Sequence, residues 1–103
     1  MAENRQYPRR AVQVPAAFQI AGAESVVEAS CTDVSLGGAY LETPTPAAYG
    51  AQVVVYLALP GLKEDAALSS TVRWVKKGEG MGVQFGVMGA RETHALIELL
   101  QRV

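Results

Sequence analysis

Cys31, His94 and Trp74 are each the only residue of their type in the chain. One thiol cannot close an internal disulfide. Small domains made for oxidising surroundings carry several, so a reducing compartment is expected. One histidine with no Cys or His partner gives no zinc-type ligand set. Charge is scarce as well: nine Lys and Arg stand against ten Asp and Glu, for a net charge of -1. A general nucleic-acid binder carries a domain-wide basic excess, so no nucleic-acid partner is expected. The longest apolar run, VVVYLALP, is too short to cross a bilayer, and no membrane insertion is expected. MAENRQYPRR, at the chain start, holds no apolar signal segment. A soluble, cytoplasmic domain is the expectation.

Enough remains to build a core. Half of the 103 residues are apolar and only 18% are charged, which excludes disorder and fits one domain. Period-two alternation dominates. In RAVQVPAAFQI, Val12, Val14, Ala16, Phe18 and Ile20 share one face, with Pro15 marking an edge or a bulge. VVEASCTDVS reads as a second strand, placing Val27, Ala29, Cys31, Asp33 and Ser35 on one side if the alternation holds to its end. AYLET is a short third strand, and AQVVVYLALP is apolar on both faces, as a central strand would be. ALSSTVRWVKK puts Leu68, Val72 and Trp74 on one face, which makes Trp74 an expected core residue. GEG turns the chain into MGVQFG, where Met81, Val83 and Phe85 lie together.

The period then changes. Leu96, Leu99, Leu100 and Val103 fall at helical spacing in ARETHALIELLQRV, one apolar stripe on a terminal helix. Short antiparallel strands followed by one helix predict a mainly β chain: a small barrel with a C-terminal helix packed on it.

Catalytic constellations are poor. His94 reads as a solvent-facing helix residue, Cys31 as a small core residue, and Ser69 and Ser70 as parts of a half-exposed strand. There is no phosphate-cradling glycine loop, and the glycines mostly mark turns. Two segments stand out. Arg5, Arg9 and Arg10 place a third of the positive charge in the first ten residues. A terminal arginine run is ordinarily a solvated tail, but arginine also suits bidentate work on phosphates and guanine edges, and Pro8 stiffens the approach to Arg9. In TDVSLGGAYLE, Asp33, Ser35 and Gly38 follow D-x-S-x-x-G. As a turn, Asp and Ser would bond nearby backbone while Gly37 and Gly38 supply positive φ. As a site, Asp33 and Ser35 would point the same way. A carboxylate would then accept from guanine N1–H and N2–H, and Gly38 would let a base approach the backbone.

R-x-x-x-R before the first strand and D-x-S-x-x-G closing the second, in that order, resemble the PilZ domain family. TVRWVKKGEGMGVQFG looks like that family's late strand pair, and a helix follows. The resemblance implies a six-stranded antiparallel β-barrel that binds the bacterial second messenger cyclic di-GMP, with no catalysis, metal or cofactor. It carries Arg5, Arg9, Asp33, Ser35 and Gly38 over as ligand-binding residues. Arg10 lies outside the pattern as a possible additional contact, and Asn4 sits where the family varies. Residues 1–10 are then expected to be a flexible arginine segment and residues 11–103 the barrel with its helix. The implied function is a receptor module whose N-terminal segment moves on binding and signals to an unidentified protein partner in trans. One alternative is a nucleotide-independent interaction adaptor with the same fold. Another is a single-strand nucleic-acid barrel, at which only Arg73-Trp74 and Lys76-Lys77 hint.

Overall fold

The computed structural model describes residues 8–102. Six strands precede one helix: β1 (Arg10–Ile20), β2 (Val27–Val34), β3 (Gly38–Glu42), β4 (Gln52–Leu57), β5 (Ala66–Lys76), β6 (Gly80–Phe85) and α1 (Ala90–Arg102). Every pairing is antiparallel, and the order β1-β2-β3-β6-β5-β4 closes on itself. Closure rests on β1, which pairs with β2 on one side and with β4 on the other. Its ladder to β4 begins at Ala16, so Pro15 stands at the edge of that ladder, where a missing N–H costs little.

The interior follows the predicted alternation, except that Ile20, expected on the face of Phe18, is exposed at the end of β1. Phe18, Cys31, Leu41, Val55, Leu57, Leu68, Val72 and Met81 are fully buried in one core, with Val83 and Phe85 nearly so. Removing this apolar surface from water is the main favourable term of the fold. Burial pushes the Cys31 thiol up to about 11, so it stays a protonated core residue. Val54 and Tyr56 of β4 are half-buried on the outer wall rather than enclosed, and the Tyr56 hydroxyl donates to Gln19 Oε1 at 3.2 Å. In β5 the alternation separates the two serines: Ser69 is exposed, while Ser70 is buried and donates to the Leu68 carbonyl at 3.0 Å.

The helix adds Ala95 and Leu96 to the same core, with Leu99 and Leu100 half-buried against it. His94 is exposed, as the stripe predicts. Val103, expected at the end of that stripe, lies outside the described residues. Thr93 Oγ1 donates back to the Gly89 carbonyl at 2.9 Å, and Glu92 puts a carboxylate in the first turn.

The ladders slip three times: between Ala11 and Val14 of β1, between Cys31 and Asp33 of β2, and between Val72 and Trp74 of β5. An extra residue in a strand reverses which face the following side chains take. Val34 therefore turns fully inward beyond Cys31, leaving Asp33 on the outer side. Trp74 leaves the face of Leu68 and Val72 and is 45% exposed, not the core residue expected.

Candidate functional site

The two slips in β2 and β5 aim side chains at one stretch of outer wall. Asp33 pairs with Tyr40 of β3, Tyr40 with Gly82 of β6, and Gly82 with Trp74 of β5. These four positions make a lateral row across four strands. The Tyr40 and Trp74 rings stack with centroids 5.2 Å apart and planes 27° from parallel. Glycines make room for them: a Cβ on Gly82 would overlap the Trp74 indole, and one on Gly80 would overlap the Tyr40 ring. These glycines thus clear a shelf within a strand, instead of marking turns as expected. Gly78, at φ 75°, does mark one, in the hairpin between β5 and β6.

Arg9 stands one residue before β1, beside this shelf. Its Nη1 lies 3.2 Å from Asp33 Oδ2, and the two side chains are 26% and 33% exposed. Asp33 Oδ1 is buried and has no hydrogen-bond partner among the described residues. A shielded carboxylate oxygen without a donor is uncommon in folded proteins, and it marks a place where one is wanted. Thr32, Glu42, Val75, Lys76 and Glu79 complete the walls of an open groove of about 750 Å³, a size suited to a small organic ligand. Lys76 is held by Glu79 at 3.3 Å.

Of the other expected site residues, Ser35 and Gly38 sit in the β2–β3 turn. Ser35 is 6% exposed, and its Oγ accepts from the Gly37 and Gly38 N–H groups at 3.1 and 3.2 Å. The Ser35 N–H donates to the Gly38 carbonyl at 2.8 Å. Ser35 therefore does not point the same way as Asp33; its hydroxyl closes the turn. Neither Gly37 nor Gly38 has a positive φ. Gly38 is required for another reason: a Cβ there would collide with the Val83 carbonyl of β6. Arg10 is exposed and already within β1, opposite Val34. Arg5 lies outside the described residues, as does most of the expected flexible segment.

Tyr40, Trp74 and the paired glycines were missed as site residues. The available signal was Gly-x-Gly inside a strand, which leaves one face bare. Gly82→Val is expected to evict the indole and abolish the near-ultraviolet circular dichroism of the ring pair. Because Trp74 can move into solvent, the cost should be only the worth of an aromatic pair, about 0.5–1.5 kcal/mol by thermal unfolding. A collapsed barrel would show that Gly82 does more than house Trp74.

Six antiparallel strands closed into a barrel, a C-terminal helix and an outer-wall groove define a small barrel domain with one prominent polar-aromatic cleft. The PilZ domain model matches residues 3–102, and the chain belongs to that family. Among curated proteins, none matches it in sequence. Solved structures share its architecture. MotI/DgrA, the Bacillus subtilis inhibitor of motility, is 17% identical with a TM-score of 0.77, over 98% of this chain and 51% of that one. The chain thus spans about half of MotI. The PilZ domain of CeSA from a cellulose-synthesizing bacterium is 20% identical with a TM-score of 0.67, over 89% of this chain and 93% of its own. The PilZ domain of Escherichia coli YcgR, solved with c-di-GMP, is 13% identical with a TM-score of 0.75, over 94% and 88%.

Proposed function

We propose that this domain is a non-catalytic receptor for cyclic di-GMP and that its groove is the binding site. The observation that carries the reading is the Asp33 carboxylate, set beside Arg9 on the groove wall with Oδ1 unpartnered among the described residues. Guanine offers what that carboxylate lacks: two adjacent donors, N1–H and N2–H, on one planar edge. The exposed Trp74 ring, backed by Tyr40, gives a base a face to stack on. Arg9, with Arg5 ahead of it, supplies charge for the phosphates. Ser35 and Gly38 act through the backbone, fixing the turn that follows Asp33. Arg10, exposed at the start of β1, is a possible further phosphate contact.

In this reading the ligand draws residues 1–10 against the barrel and creates a new surface, which a protein partner reads in trans. YcgR and the Borreliella burgdorferi PlzA protein have both been solved in complex with c-di-GMP, which supports the ligand assignment. Calorimetric titration tests it, with cyclic di-AMP, GTP and cyclic GMP as controls. Cyclic di-GMP should bind. Cyclic di-AMP should bind roughly tenfold more weakly or worse, because adenine leaves the carboxylate facing no N1–H or N2–H, a loss of about 1–3 kcal/mol or more. Equal affinity for the two dinucleotides would remove Asp33 from its role. Absence of binding to cyclic di-GMP would leave the adaptor reading in its place.

A further inference from the structure

Arginine and guanine present the same chemical edge. In each, N–H donors flank one sp² carbon in a plane, forming a fork that a carboxylate accepts. Asp33 already accepts from one prong of such a fork, because the Arg9 guanidinium donates to its Oδ2 at 3.2 Å. We propose that Arg9 is a stand-in for guanine. It occupies the guanine-reading carboxylate until a ligand carrying both a guanine edge and a phosphate displaces it. Arg9 is then the residue that selects a nucleotide over a bare nucleoside. This inference rests on the reading of the groove as a cyclic di-GMP site.

The geometry favours the exchange. Arg9 satisfies one carboxylate oxygen, and Oδ1 has no partner among the described residues. A guanine edge brings a donor for each oxygen. Displacement, however, releases a cation from its anion. Lys76, the other cation lining the groove among the described residues, is already paired with Glu79. A ligand phosphate beside the freed guanidinium lets Arg9 exchange a carboxylate for a phosphodiester with no net loss of ion pairing. Guanosine has no phosphate to offer. It must break the pair and leave Arg9 to water. Ligand entry and arginine release thus become one event.

The test is a crossed comparison on the full chain, read by the single indole N–H signal of Trp74. In Arg9→Ala, cyclic di-GMP should bind at least tenfold more weakly, because a charge-assisted phosphate contact is gone. Guanosine should bind about two- to fivefold more tightly, the range set by removing one partly exposed ion pair that competes with it. Guanosine affinity that falls or stays unchanged in Arg9→Ala, while cyclic di-GMP still binds the wild type, overturns this inference alone. If cyclic di-GMP binds neither protein, it is the receptor reading that fails. A second measurement needs no nucleoside affinity. The guanidinium ¹⁵N signals of Arg9 should show restrained rotation in the free wild type, free rotation in free Asp33→Asn, and a new, phosphate-shifted position in the wild type saturated with cyclic di-GMP. Identical Arg9 signals in the free wild type and free Asp33→Asn would show that no such pairing exists in solution.

Discussion

Asp33→Ala should lower the affinity for cyclic di-GMP about a hundredfold or more, the product of two lost charge-assisted bonds at roughly 1.5–3 kcal/mol each. The same substitution should leave the unfolding midpoint near that of the wild type. Asp33 is one-third exposed, and its pair with Arg9 is screened by solvent, so the lost ion pair counts for about 0–1 kcal/mol. Removing Oδ1, which has no described partner, offsets part of even that. Ser35→Ala should behave in the opposite way. Its hydroxyl is buried and satisfies two backbone N–H groups of the turn. Leaving these without an acceptor costs about 1–3 kcal/mol, or several degrees in a domain of this size. Calorimetry and thermal melts on both variants separate the roles. Stability lost in Asp33→Ala with binding retained would make Asp33 a turn residue.

That division of labour was only half legible in the sequence. D-x-S-x-x-G and R-x-x-x-R pointed to a site, and the structure brings Arg9 and Asp33 together across 24 positions of chain. Yet Cys31, Asp33 and Ser35 were expected on one side, because alternation was extended through a slip between Cys31 and Asp33 and past the end of β2 at Val34, where Ser35 enters the turn. A bulge leaves no mark in an apolar-polar pattern until its consequence is seen in the pairing. The same failure hid Trp74. Its predicted partners Leu68 and Val72 are in the core, but the slip after Val72 turns the indole outward. Strand faces that keep their register, such as Met81, Val83 and Phe85, were read correctly. Gly38 shows a different limit. Turn chemistry is local and readable, but the Val83 carbonyl that forbids a side chain at Gly38 lies on a strand more than forty residues away in sequence. Such a contact exists only once β3 and β6 have paired.

The helix provides a test of how strongly the barrel depends on what closes it. The sequence stripe gave Leu96, Leu99 and Leu100 equal standing, but the structure ranks them. Leu96 is fully buried among barrel residues, whereas Leu99 and Leu100 pack at its margin and keep some exposure. Leu96→Ala should therefore cost about 2–5 kcal/mol, through lost transfer energy and the cavity left behind. Leu100→Ala should cost less, because a half-exposed site loses less burial and water can fill the gap. Against a total of about 5–15 kcal/mol for a domain of ordinary stability, the Leu96 loss is large enough to bring the midpoint down by more than ten degrees. Urea unfolding measures it, and the slope adds a second piece of information. An unchanged slope means that helix and barrel unfold together. A shallower one means that α1 detaches while the strands hold. Either way, no residue of α1 lines the groove. The folded fraction of Leu96→Ala should bind cyclic di-GMP with wild-type affinity, so a loss of binding beyond the unfolded fraction would place the helix in the path between ligand and output.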